Sequence, residues 1–94
     1  MTPTNQQIIE GRDEALDHLG IKTTEWEQMP HDTRRNRMRF EAARSTTHKA
    51  AARTVANSEE VLSTSPTGVI LWRWTGLLVG VTEPLRQTDY ALQA

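Results

Sequence analysis

Apolar residues in the first twenty positions recur at helical spacing. Ile8, Ile9, Ala15, Leu16 and Leu19 fall on one side of a helix predicted over residues 5–19. Thr4 supplies an N-cap, and Gly20 stands where the chain must turn left-handed. Ile21 then follows as the residue that packs back on Leu16 in a Schellman end. Thr24-Glu25-Trp26-Glu27 carries the capping-box pattern and predicts a short second helix. Pro30 stops it, and Trp26 and Met29 are its inward residues.

From His31 to about Asn57 the chain has neither glycine nor proline and is rich in Ala, Arg, Glu and Met. This predicts one long central helix with Asp32 as its N-cap. Its large apolar residues are only Met38, Phe40 and Val55. Ala43, Ala50 and Ala51, with Phe40, Thr47 and Thr54, form a small-residue face suited to close approach by the first helix or by a second copy.

After Asn57 the pattern changes. Ser63-Thr64-Ser65-Pro66-Thr67-Gly68 is a polar turn segment, read as a loop and hinge between two halves of one small domain spanning 1–94. Val69 to Val81 then holds nine large apolar residues in thirteen positions. As a β-hairpin turning at Thr75-Gly76, it pairs Trp74 with Leu77, Trp72 with Val79 and Ile70 with Val81. As a helix, it starts with Ser65 as N-cap and Pro66 at the first helical position. β-Branched and aromatic enrichment with interior glycines favours the hairpin. The expected class is therefore α+β but mainly helical: one long and one short N-terminal helix, a long basic helix, and a C-terminal β-hairpin packed on them. An apolar fourth helix is the alternative to the hairpin.

Charge sharpens this picture. The formal net charge is −1, yet residues 31–53 carry Arg34, Arg35, Arg37, Arg39, Arg44, Lys49 and Arg53 against Asp32 and Glu41. Acidic segments flank them, so a near-neutral total hides an acidic–basic–acidic order. On a helical wheel Arg35, Arg39, Lys49 and Arg53 share one side, Arg37 and Arg44 lie elsewhere, and Arg34 lies between. The run Thr33-Arg34-Arg35-Asn36-Arg37-Met38-Arg39 resembles the arginine-rich helices with which phage antitermination peptides bind RNA hairpins. The likeness covers seven residues and opens an internal helix here. It implies phosphate contacts of strong salt dependence.

Composition excludes several classes. Leu, Ile, Val and Phe make up 18 of the 94 residues, just under the roughly 20% floor at which disorder is suspected. The high net charge that disorder also requires is absent, and three tryptophans supplement the core. Without cysteine there is no disulfide framework, thiol nucleophile or thiolate metal site. The longest mostly apolar run is too short for a membrane span, and the first residues lack the pattern of a signal peptide. The chain therefore reads as cytoplasmic.

No HExxH, GxSxG or glycine-rich phosphate loop occurs, and His18, His31 and His48 each sit among charged or polar residues. The reading is a non-enzymatic interaction module with no cofactor and no metal. It binds another protein or assembles with itself through the central helix and the Trp-rich segment. The expected contact residues are Arg34, Arg35, Arg37, Arg39, Arg44, Lys49, Arg53, Leu71, Trp72, Arg73, Trp74 and Leu78. The alternative reading is a DNA- or RNA-binding regulator that uses the basic residues of 34–53.

Overall fold

A computed structural model describes residues 2–78, and its regular structure is helical. Helix α1 spans Asn5–His18, α2 Thr23–Gln28, α3 His31–Arg44 and α4 Thr46–Leu62, followed by a 3-10 turn at Thr75–Leu78. The mainly helical class holds.

The punctuation of α1 follows its sequence. The Thr4 hydroxyl accepts from the Gln7 amide, and the Gln7 side chain returns the bond to the Thr4 amide, a reciprocal cap. At the other end Gly20 adopts φ +73°, Ile21 N–H donates to the Leu16 carbonyl at 2.9 Å, and Gly20 N–H donates to Asp17 at 3.0 Å. That pair of bonds is the Schellman arrangement, and it turns the chain so that Ile21 is buried together with Leu16. In α2 the cap differs from the expectation. Lys22 is the N-cap residue and Thr24 lies inside the helix, so the capping box is not used.

The largest correction concerns the central helix, which is broken at Ser45. This residue is fully extended (φ −167°, ψ 168°), and its hydroxyl caps α4 by accepting from the His48 amide at 3.1 Å. Pro30, not Asp32, precedes the first turn of α3, and α4 runs past Asn57 to Leu62. The chain reverses at the break. Arg34 near the start of α3 meets Glu59 near the end of α4, while Glu41 and His48 meet beside the bend. A 32-residue helix would leave Met38 and Val55 without facing partners. Folding back buries both, each 0% exposed. Helix α1 packs along α4 as well, so α4 has neighbours on two sides.

The β-hairpin is not found in the described residues, and neither is the alternative fourth helix. Residues 69–74 form a loop with a single bridge between Thr64 and Ile70, and the proposed turn at Thr75-Gly76 lies in the 3-10 turn. Residues 79–82, the other half of the expected hairpin, lie outside the described residues. The physical reason is that the segment is divided: residues 69–71 bond back to 63–65, and only its later residues go to the helices. Trp74 and Leu78 are buried in the helical core, and the Trp74 amide donates to Glu60 Oε1 at 2.9 Å, not to a partner strand. The 63–68 segment is a tight loop. Ser65 N–H donates to Val69 O at 2.8 Å and Gly68 N–H to Ser65 O at 2.9 Å, with Gly68 at φ +85°.

The core joins these helices through few large side chains. Leu16, Trp26, Met38, Val55, Trp74 and Leu78 are almost completely enclosed, with alanines 15, 42, 52 and 56 between them. Trp26 and Trp74 lie with ring centroids 6.1 Å apart at a tilt of 47°. Each buried indole removes about 150–250 Å² from water, roughly 4–6 kcal/mol by area, which offsets the scarcity of aliphatic residues.

Candidate functional site

The polar interior decides which cations remain available for a partner. On α1 the core register runs Arg12, Ala15, Leu16 and Leu19; on α4 it runs Ala52, Val55, Ala56 and Glu59. Thus Arg12 and Glu59 each occupy a position expected to be apolar, and they meet: Arg12 Nη1 donates to Glu59 Oε1 at 3.0 Å. The Trp26 indole N–H donates to the same oxygen at 3.0 Å, and Arg34 Nη1 reaches Oε2 at 3.4 Å. Arg34 also donates to the carbonyls of Trp26 (2.9 Å) and Glu27 (3.1 Å), and its guanidinium lies 5.3 Å from the Trp26 ring centroid. One carboxylate therefore ties α1, α2 and α3 to α4.

A second buried carboxylate, Glu41 at 0% exposure, lies beside the α3–α4 bend. Arg37 Nε donates to it at 3.1 Å and Arg44 Nη1 at 3.2 Å, with His48 Nδ1 3.7 Å away across the bend. Three of the seven cations of residues 31–53 expected to face a partner, Arg34, Arg37 and Arg44, are thereby committed to internal carboxylates. The basic stripe of the continuous-helix wheel is divided by the break at Ser45. Arg35, Asn36, Arg39 and Asp32 line a shallow polar concavity on α3, while Lys49 and Arg53 belong to α4. Among the described residues, no ion pair engages Arg39, Lys49 or Arg53.

The Trp-rich segment divides as well. Trp74 and Leu78 belong to the core, whereas Leu71 is 61% exposed, Trp72 49%, and Arg73 is also exposed. Sequence reasoning missed their neighbours. Val69 (58%) and Ile70 (38%) complete a run of four outward apolar residues, and Val61 at the end of α4 is 51% exposed. The run is held in shape from below. Leu71 N–H donates to Ser63 O at 3.3 Å and Val69 N–H to Ser65 Oγ at 3.2 Å, while the Ser63 hydroxyl donates to the Glu60 carbonyl at 2.9 Å with the Trp72 carbonyl 3.4 Å away.

His31, the first residue of α3, supports the exposed indole. Its imidazole stacks on Trp72 at 3.8 Å between centroids with a 32° tilt, and meets Trp74 edge-on at 5.1 Å. Burial, together with the positive charges of Arg35 and Arg34, holds the His31 pKa below its ordinary value against the opposing pull of Asp32 and Glu59. Among the described residues the Nε2 atom is enclosed without a hydrogen-bond partner, consistent with a neutral ring used as a packing surface. Beside it opens a cleft of about 380 Å³ whose lining includes Met29, His31, Arg34, Glu59, Trp72 and Trp74.

Among the described residues, no three His, Asp or Glu side chains gather where they would hold a metal ion, and no helix is long and apolar enough to cross a membrane. The guanidiniums beside the cleft face Glu59 and backbone carbonyls. No family model matches the chain, and the comparisons with curated proteins and with solved structures give no significant match.

Proposed function

We propose that this chain is a non-enzymatic interaction module that engages a protein partner through the loop 69–72. The observation that carries this reading is the outward run of Val69, Ile70, Leu71 and Trp72 on a loop hydrogen-bonded to the helical body. Contiguous apolar exposure of this kind on a small protein marks an interaction surface, and tryptophan is enriched among the residues that dominate binding energy. Holding the loop in one shape lowers the ordering cost of association. The long central helix, part of the sequence-based surface, contributes less because its two halves bury their inner faces in the fold.

The test is affinity capture from lysate of the source cells after nuclease treatment, using the wild-type chain and two variants. A partner retained by the wild type and by R35E/R39E, and lost from L71S/W72S, supports the reading. The nucleic-acid alternative rests on Arg35, Arg39, Lys49 and Arg53. It predicts retention that nuclease abolishes and that weakens steeply with salt, with R35E/R39E as the deficient variant. That outcome would replace the protein-binding assignment.

A further inference from the structure

The sequence between His31 and Leu62 contains no glycine and no proline, and a single residue, Ser45, interrupts its helix. Helix hairpins are ordinarily joined by two to five residues. Here Arg44 ends one helix and Thr46 begins the next, so the bend depends on the Ser45 backbone and the cap its hydroxyl gives to His48. We infer that Ser45 is the hinge of a domain exchange. In that exchange α3 and α4 join into one continuous helix, and α4 of each chain packs into the body of a second copy. This inference is independent of the partner surface proposed above.

The groups on each side of the hinge show what such an exchange keeps and what it changes. Joined, α3 and α4 form about 32 residues of helix, close to 48 Å long. The amides at the start of α4 and the carbonyls at the end of α3, which lack intrahelical partners in the folded-back form, then pair with each other. The contacts of α4 are interchangeable between chains. Glu59 with Arg12, Trp26 and Arg34 forms equally well in trans, and so does the seating of Trp74 against Trp26, because the Trp74 segment is bonded to Glu60 and travels with α4. Arg37 and Arg44 stay with Glu41 in either state, since all three lie on α3. Among the described residues, only groups at the bend differ. The Ser45 cap is lost on joining, and Glu41 and His48, 3.7 Å apart in the folded-back form, move about two turns apart on a continuous helix. Short hinges between strong helix-forming segments are the setting in which exchange replaces self-closure at low cost.

The experiment measures mass by light scattering after size exclusion, from micromolar to millimolar protein, for the wild type and three variants. S45A removes the cap and supplies a good helix former. It is expected to raise the exchanged population about fivefold per hinge, and so about 25-fold in the association constant of a two-hinge dimer. T46P places proline at the first position of α4, where it fits the observed helix, but it bars Ser45 from helical geometry and removes the dimer. L71S/W72S leaves an exchanged dimer unchanged, whereas a dimer made through the exposed loop is lost in it. Exchange must also be slow, with monomer and dimer interconverting only in mild urea. The inference is overturned if S45A stays monomeric throughout, if T46P dimerises as readily as the wild type, or if the dimer depends on Leu71 and Trp72.

Discussion

Two buried carboxylates of the same chemistry make unequal predictions, and the difference follows from their partners. Glu59 neutralises Arg12, whose side chain is only 10% exposed, and also accepts from the Trp26 indole. Replacing Glu59 with glutamine keeps the size and one acceptor oxygen but leaves the Arg12 cation buried, with Asp13 at 3.0 Å and the more exposed Glu27 at 3.9 Å as its remaining acids. Removing one partner of a buried pair costs about 3–5 kcal/mol, and the surviving Asp13 contact places E59Q at the low end, about 3 kcal/mol. Glu41 is more deeply enclosed, yet its partners Arg37 and Arg44 are 34% and 45% exposed. When E41Q removes that charge, both guanidiniums turn to water, and the loss is nearer 1 kcal/mol. Urea unfolding followed by far-UV circular dichroism separates the two. With an m-value of ~2 kcal/mol/M, E59Q lowers the midpoint by about 1.5 M and E41Q by about 0.5 M. Equal losses, or a smaller loss for E59Q, would refute the claim that burial of the cation, not of the acid, sets the penalty.

Other outcomes follow from single contacts. Trp26→Phe removes the indole donor to Glu59 and part of a filled volume, with an expected loss of about 2 kcal/mol in the same urea assay. Gly20→Ala meets nothing within 4 Å, so its cost, about 1 kcal/mol, comes from the positive φ alone and appears as a lower melting temperature with unchanged helix content. Because the folded chain holds His31 below the ordinary imidazole value, the unfolded chain binds more protons between the two values. Stability therefore falls as pH drops through about 6.5 and levels off below the folded value. H31F lacks this component, and identical pH dependence of the urea midpoint in wild type and H31F would contradict it. Leu71→Ser, at an exposed side chain, changes stability by less than about 0.5 kcal/mol while weakening partner capture.

Local signals were legible in the sequence, and long-range ones were not. Thr4, Gly20 and Ile21 end the first helix as their spacing requires, because caps and left-handed turns are decided within five or six residues. The break at Ser45 had a signal of the same kind that propensity outweighed. Ser45-Thr46-Thr47 places an N-cap residue before two β-branched residues, inside a segment whose arginines and alanines favour helix. Arg12 and Glu59 were legible only as charges on apolar registers. Nothing local joins residues 47 positions apart, so the sequence alone places the arginines of residues 31–53 on the surface, although three of them serve internal acids. The hairpin is not found in the described residues for a related reason. Apolar density at 69–78 predicts burial, but burial here is shared unevenly: Trp74 and Leu78 go to the helices and Val69 to Trp72 remain outside.

The protein-binding assignment is tested most directly by hydrogen exchange on the isolated chain and on its complex with the captured partner. The account predicts new protection at residues 69–72 and at the end of α4 around Val61, with none at residues 35–39. Protection confined to residues 35–39 and 49–53, with 69–72 unchanged, would contradict it.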